Sequence, residues 1–280
     1  MAYKVIHLNK FSLSQITTCF NLAFSDYFLK FEVDENYLKN RFAAASVDYS
    51  LSYGVSHNDE LVAFIVHGID IWRNEKTVFN GGTGVVPKHR GNGLVTLMYA
   101  KAISELKSKG ISQACLEVIQ ENDKAIHLYK KAGFKIDRGL HCYNGALKLD
   151  PKFDYIIKSC NYADLDIPHL STFWNFEPAW EMHWPAVKHK RAQLNFRIIE
   201  KNERVVAYLI YENNGAIMQF GVDPSDRGKG LGYTLFQYLS TQLKKVKLNN
   251  VDVNDAHCNK FLKGLGFQNV IDQFEMHAKF

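Results

Sequence analysis

The sequence has little cysteine, little proline and no strong excess of one charge. Five cysteines stand in 280 residues (Cys19, Cys115, Cys142, Cys160 and Cys258), with no CxxC pair and no metal-ligand spacing. That excludes a thiolate zinc site and a disulfide framework, and an odd, scattered set reads as reduced thiols. The eleven histidines include no HExxH pair, so no metal is expected. The net charge is only +5, which suits an anionic cofactor but is too slight to argue for nucleic acid. No apolar run approaches the length of a membrane span. The opening MAYKVIHLNKFSLSQ lacks the apolar centre of a signal peptide. The expectation is a cytoplasmic protein without nucleic-acid or membrane partners, as a monomer or homodimer. GxxxxGK[ST] is absent, and so is GxGxxG with its ribose-binding acid, which excludes Walker and Rossmann nucleotide sites.

An internal repeat is present. VVPKHRGNGL (Val85–Leu94) is answered by GVDPSDRGKGL (Gly221–Leu231), NDELVAFIVHG (Asn58–Gly68) by KNERVVAYLIY (Lys201–Tyr211), and KKAGF ending at Phe134 by KGLGF ending at Phe267. Three anchors in the same order argue for a duplicated fold. Proline in Leu149-Asp150-Pro151-Lys152 marks the junction, giving domains 1–149 and 150–280. Asn58-Asp59 and Asn202-Glu203 read as hairpin turns before the strands Leu61–Val66 and Val205–Tyr211. Further strands are expected at Thr77–Asn80, Ala114–Ile119, Ala216–Gly221 and Asn250–Val253. Leu94, Met98 and Ala102, then Leu231, Leu235, Leu239 and Leu243, recur at helical spacing. Strands and helices alternate, so the fold class is α/β with mixed sheets. Lys244-Lys245-Val246-Lys247 reads as an exposed helix end.

In each repeat a strand enters Arg-Gly-x-Gly and then a helix. The first turn of a helix leaves N–H groups without partners and carries a positive dipole end. Glycine lets a phosphate approach closely. The loops at Arg90–Val95 and Arg227–Gly232 therefore read as anion cradles, or as tight turns that bind nothing. The pattern [QR]-x-x-G-x-[GA] after Val-x-Pro resembles the cofactor motif of the GNAT superfamily, whose loop binds the pyrophosphate of acetyl-CoA. Arg227-Gly228-Lys229-Gly230-Leu231-Gly232 matches it in full. Arg90-Gly91-Asn92-Gly93-Leu94-Val95 departs at Val95, a β-branched residue able to crowd a phosphate. A second GNAT motif is complete in the first repeat: Leu116-Glu117-Val118, Asn122, Ala125, Leu128-Tyr129 and Gly133-Phe134.

The resemblance implies two tandem GNAT-like lobes, each a mixed, mostly antiparallel sheet flanked by helices. It implies an N-acetyltransferase that moves an acetyl group from acetyl-CoA to a primary amine by direct attack in a ternary complex. The acceptor is a small molecule or a peptide N-terminus. The cofactor contacts implied are Gly84, Val85, Val86, Arg90 to Thr96 and Asn122, and in the second lobe Val222, Arg227, Gly228, Gly230, Leu231 and Gly232. Amide N–H groups near Gly84 and Val85 suit an oxyanion. Tyr129 is the expected acid for the leaving thiolate, or else a packed helical aromatic. Glu117 is a candidate base, a solvated strand glutamate, or bypassed by a water chain. Asn122 contacts pantetheine, caps the next helix, or both. In the second lobe the tyrosine position falls on Phe261 or Leu262, neither with a hydroxyl. Catalysis is therefore expected in the first lobe, with the second binding CoA or shaping the acceptor site. The alternatives are a non-catalytic acyl-CoA sensor or scaffold and a transferase of another acyl group. The aromatic run Phe173–Pro185 lines an acceptor pocket between the lobes or packs a core. The acids Asp26, Glu32, Asp34 and Glu35 attract a cationic amine or form a solvated surface.

Overall fold

The computed structural model describes residues 2–27 and 32–280. Glu32, Asp34 and Glu35 lie just past the undescribed stretch 28–31. The chain divides into two compact units, Met1–Asp137 with Glu275–Phe280, and Arg138–Phe274. The junction anticipated at Leu149–Pro151 falls inside the second unit.

The first unit runs β1 (Lys4–His7), α1 (Leu13–Ala23), α2 (Glu35–Ala44), β2 (Tyr53–His57), β3 (Glu60–Trp72), β4 (Glu75–Val85), α3 (Leu94–Ser108), β5 (Gln113–Ile119), α4 (Asp123–Lys131) and the start of β6 (Lys135–Gly145). Its strands follow the order β1-β2-β3-β4-β5. Pairings are antiparallel except β4 with β5, which run parallel. Helix α1 begins because Ser12 and Gln15 form a reciprocal capping box. It lays Ile16, Phe20 and Ala23 against Phe64 and Val66 of β3. On α3 the residues Leu94, Met98, Tyr99, Ala102 and Leu106 are buried at helical spacing.

The second unit runs β7 (Lys158–Cys160), α5 (Ile167–Ser171), α6 (Trp184–Lys190), β8 (Leu194–Lys201), β9 (Arg204–Glu212), β10 (Ala216–Val222), α7 (Leu231–Gln242), β11 (Val246–Asp252), α8 (Ala256–Gly264) and most of β12 (Gln268–Lys279). Strand β9 is apolar on both faces. Ala207, Leu209 and Tyr211 pack with α7, while Tyr208 and Ile210 pack with Phe173 and Trp184. The same mixed pattern recurs, with β10 parallel to β11 and the other pairs antiparallel.

Both anticipated hairpins form, with Asn58, Asp59, Asn202 and Glu203 all at positive φ. Two consecutive left-handed residues suit a tight hairpin that keeps the strands' twist. The run Lys244–Lys247 is not a helix end. Helix α7 stops at Gln242, and β11 starts at Val246 with Val246 and Leu248 buried and Lys247 exposed. The period is two rather than 3.6, and the Lys247 N–H donates to the Gly215 carbonyl. Strand β11 thus begins earlier than Asn250, where the sequence expectation had placed it.

Candidate active site

In the first lobe β4 runs through Val86 into a short turn, Pro87–His89, and then into Arg90-Gly91-Asn92-Gly93 ahead of α3. Gly91 and Gly93 have φ of 80° and 67°, a region that side chains disfavour. A Cβ on either would meet nothing within 4 Å. Among the described residues no side chain caps Gly93, so the first-turn amides of α3 face open space. The Asn92 side chain steadies the turn, donating to the His89 and Arg90 carbonyls at 3.0 and 3.2 Å. Leu94 and Val95 are buried and Thr96 is exposed. Val95 is thus largely covered by protein.

Arg90 is a strut. Its Nε donates to the Val85 carbonyl at 3.1 Å and its Nη2 to the Ala23 carbonyl at 2.9 Å. Its fork also clasps Asp26 at 2.6 and 2.8 Å. The hydrogen bond from Arg90 holds the Asp26 carboxyl below its ordinary value. Asp26, considered for amine attraction, thus fastens the glycine loop to the end of α1. Gly84 makes this approach possible, since a Cβ there would lie 2.6 Å from Phe64 and 2.9 Å from Ala23.

The cleft itself comes from a failure of pairing. Strands β4 and β5 are in register only from Thr77/Gln113 to Asn80/Leu116. Beyond Asn80, β4 continues to Val85 and β5 to Ile119 without partnering each other. The β3–β4 ladder slips between Val66 and His67, at the Gly81-Gly82 bend, and such a bulge re-aims a strand. The Val86 N–H donates to the Val62 carbonyl. Antiparallel alternation then turns the Gly84 N–H toward β3 and the Thr83 and Val85 N–H groups toward the parted side.

Tyr129 of α4 is buried beside this parting. Burial pushes its phenol up, while hydrogen bonds with Thr83 and Asn80 oppose that rise. The surrounding polar cluster was not foreseen. Asn80 Nδ2 donates to Thr83 Oγ1 and to the Tyr99 hydroxyl, each at 2.8 Å, and Asn80 Oδ1 accepts from Gly82 N–H at 3.0 Å. Its one signal in the sequence is Asn80-Gly81-Gly82-Thr83, a pair of glycines inside a strand. Asn122 caps α4, accepting from the Ala125 N–H at 3.2 Å, and its Nδ2 donates to the Tyr27 hydroxyl at 3.3 Å. Glu117 is half-buried on β5, one residue past the last β4 pairing, between buried Leu116 and Val118.

The second lobe repeats the frame. Arg227 donates to the Val222 carbonyl at 3.2 Å, to Asn175 at 2.6 Å and to the Phe173 carbonyl at 2.7 Å. Gly228 and Gly230 again have positive φ, and Leu231 is buried. Strands β10 and β11 pair only at Ala216/Lys247 and Ile217/Leu248 before parting. Asp255 caps α8 as Asn122 caps α4, and Gly266 repeats the positive φ of Gly133. These fixed points place Leu262, fully buried, at the tyrosine position. Gly232 has Phe261 packed against it, 3.1 Å from where a Cβ would stand. The aromatic run lies within this unit, with Phe173 and Trp184 in a core cluster and Trp174 and Phe176 lining a cavity. Elsewhere in the first unit Asp137, Glu275 and His277 come within 4.8 Å of one another, but Arg73 already bridges the two carboxylates.

The acetyltransferase (GNAT) family matches residues 16–134 and again 161–267. A [ribosomal protein bS18]-alanine N-acetyltransferase from Haemophilus influenzae is 32% identical over 84 residues, which is 30% of this chain and 54% of that protein. The chain thus spans about half the length of this curated relative. A GCN5-related N-acetyltransferase from Sphaerobacter thermophilus superposes with a TM-score of 0.70 at 12% identity, covering 99% of this chain and 95% of that one. A tandem GNAT protein from the clavulanic acid biosynthesis pathway gives 0.70 and 12%, covering 99% and 98%. At such identities the structural likeness speaks for the fold alone. The two family matches cover most of the sequence, and the chain belongs to the GNAT family of acetyltransferases, carrying its domain twice.

Proposed function

We propose that the first lobe transfers an acetyl group from acetyl-CoA to a primary amine, which is a small molecule or a peptide N-terminus. The observation that carries this reading is the placing of a buried Tyr129, hydrogen-bonded with Thr83 and Asn80, beside parted strands and an uncovered glycine loop. The loop amides of Gly91 to Thr96 hold the diphosphate. Val86 and Arg90 shape that loop, Arg90 through its bonds to Asp26 and Ala23 rather than by touching phosphate. The pantetheine arm enters between β4 and β5, near Asn122.

The amine nitrogen attacks the thioester carbon, and the carbonyl oxygen gains charge. The Val85 N–H donates to that oxyanion, and Gly84 serves by allowing close packing. Collapse breaks the C–S bond, and Tyr129 gives its proton to the sulfur. The ammonium proton leaves to Glu117 or to water. Likeness to a [ribosomal protein bS18]-alanine N-acetyltransferase supports a protein or peptide amine as one acceptor class. Purified protein with acetyl-CoA and a panel of amines and peptides should release free thiol in step with acetylated product. CoA binding without turnover on any amine would turn the reading toward a sensor.

A further inference from the structure

We propose that the cleft of the second lobe is a receptor site for an uncharged, ring-bearing small molecule and that it excludes coenzyme A. Where β10 and β11 part, the second lobe holds a cavity of about 400 Å³, within the range of small-molecule sites. Phe173, Trp174, Phe176, Phe220, Phe261 and Met218 line it. Aromatic walls favour edge or face contacts with another ring, and Met adapts to its outline.

The phosphate end of this cleft is overlaid by the chain itself at Gly230, while Gly228 stays open. The segment from Asp150 to Tyr155 lies on the glycine loop. A Cβ at Gly230 would stand 2.6 Å from the Phe153 ring, whereas one at the matching Gly93 would meet nothing within 4 Å. The Tyr155 hydroxyl donates to the Lys229 carbonyl at 2.8 Å, and the Tyr233 hydroxyl donates to the Asp150 carbonyl at 3.0 Å. The strap is therefore pinned at both ends.

The charges that could greet a diphosphate are also engaged. All three donor groups of Arg227 have partners, as those of Arg90 do, so this feature is common to both loops. Asn175 passes that contact on to Asp255 at 2.9 Å, so the polar edge pairs one cation with one carboxylate. Lys229 is held by Asp226 and the Ser225 carbonyl. Lys152 sits over the Phe153 and Tyr233 rings, on the strap. An ion entering this site would give up its hydration against a mostly aromatic wall, whereas a neutral ring would not. Burial pushes the Cys258 thiol at the wall up to about 12.

The test uses the whole chain and N-phenyl-1-naphthylamine, a neutral fluorescent probe. Wild-type protein should bind one probe per chain with energy transfer from tryptophan, and saturating CoA should not displace it. Cys258→Trp, which fills the cavity, should weaken the probe at least tenfold. Trp174→Phe should cut energy transfer while leaving affinity within about twofold, a readout independent of whether the filled variant folds. Calorimetry should count one CoA per wild-type chain and two for Phe153→Ala. Absence of probe binding, displacement by CoA, energy transfer indifferent to Trp174→Phe, or two CoA per wild-type chain each overturns the proposal. A chain that binds no CoA speaks against the first lobe's activity, and the probe still decides the second lobe.

Discussion

The two lobes share a frame and differ in what fills it. In both, an arginine after the strand-end proline braces a glycine loop, and two parallel strands separate after a short ladder. The lobes part at two places. Tyr129 has Leu262 as its counterpart, and the open Gly93 has Gly230 beneath Phe153. Duplication preserved the architecture that makes a cleft, while the hydroxyl and the access route were each kept in one copy only. A matching glycine pattern is thus a statement about backbone shape, and occupancy depends on what else lies over the loop.

The sharpest way to break this contrast is Tyr129→Phe. Thiol release should fall about 10³-fold, with the KM for acetyl-CoA nearly unchanged; Leu262→Phe should leave turnover intact. Residual turnover near wild type would place the chemistry elsewhere. Acid should separate the lobes next. His67 in β3 is buried, with Nδ1 2.7 Å from the Leu51 carbonyl, and burial lowers its pKa to about 4. Unfolded histidine takes a proton near pH 6.5. Between these values the unfolded chain binds more protons, so stability is untouched above pH 6.5 and falls on acidification, by about 2 kcal/mol at pH 5. At the same distance past the second hairpin stands Tyr211, pushed up to about 12, which does not titrate there. Hydrogen exchange at pH 5 should therefore rise in the first lobe before the second.

Smaller effects test the loops. Gly232→Ala presses a methyl toward Phe261 and should cost about 1 kcal/mol in thermal unfolding, although Val95 already carries a side chain at the corresponding place. Asp26→Ala removes one anchor of Arg90 and should weaken CoA severalfold by calorimetry. Asn175→Ala, in the second lobe, should not change CoA affinity.

Much of this was legible in the chain. The repeat, both hairpins and both strand–loop–helix units follow from turn residues and apolar spacing, which are local signals. The Arg90–Asp26 clasp was not legible, because its partners are far apart in sequence and meet only through packing of α1. The Phe153 strap was equally hidden, since nothing in Asp150–Tyr155 announces what it covers. The burial of Val95 was also not legible, since a branched residue beside a glycine loop can face either way. Lys244–Lys247 was misread because charge was weighed above alternation.

Strand β12 carries a further consequence. Its last residues, Glu275–Phe280, belong to the first unit, where Glu275 meets Arg73, His277 meets the Trp72 ring edge to face and the Phe280 N–H reaches the Ser112 carbonyl. During synthesis the first lobe must wait, with the outer side of β5 bare, until the second has been made. Such a late, distant closure slows folding and leaves a sheet edge open to stray pairing in the meantime. Expressing residues 1–137 alone should therefore give aggregates, and supplying Gln268–Phe280 as a separate peptide should rescue solubility.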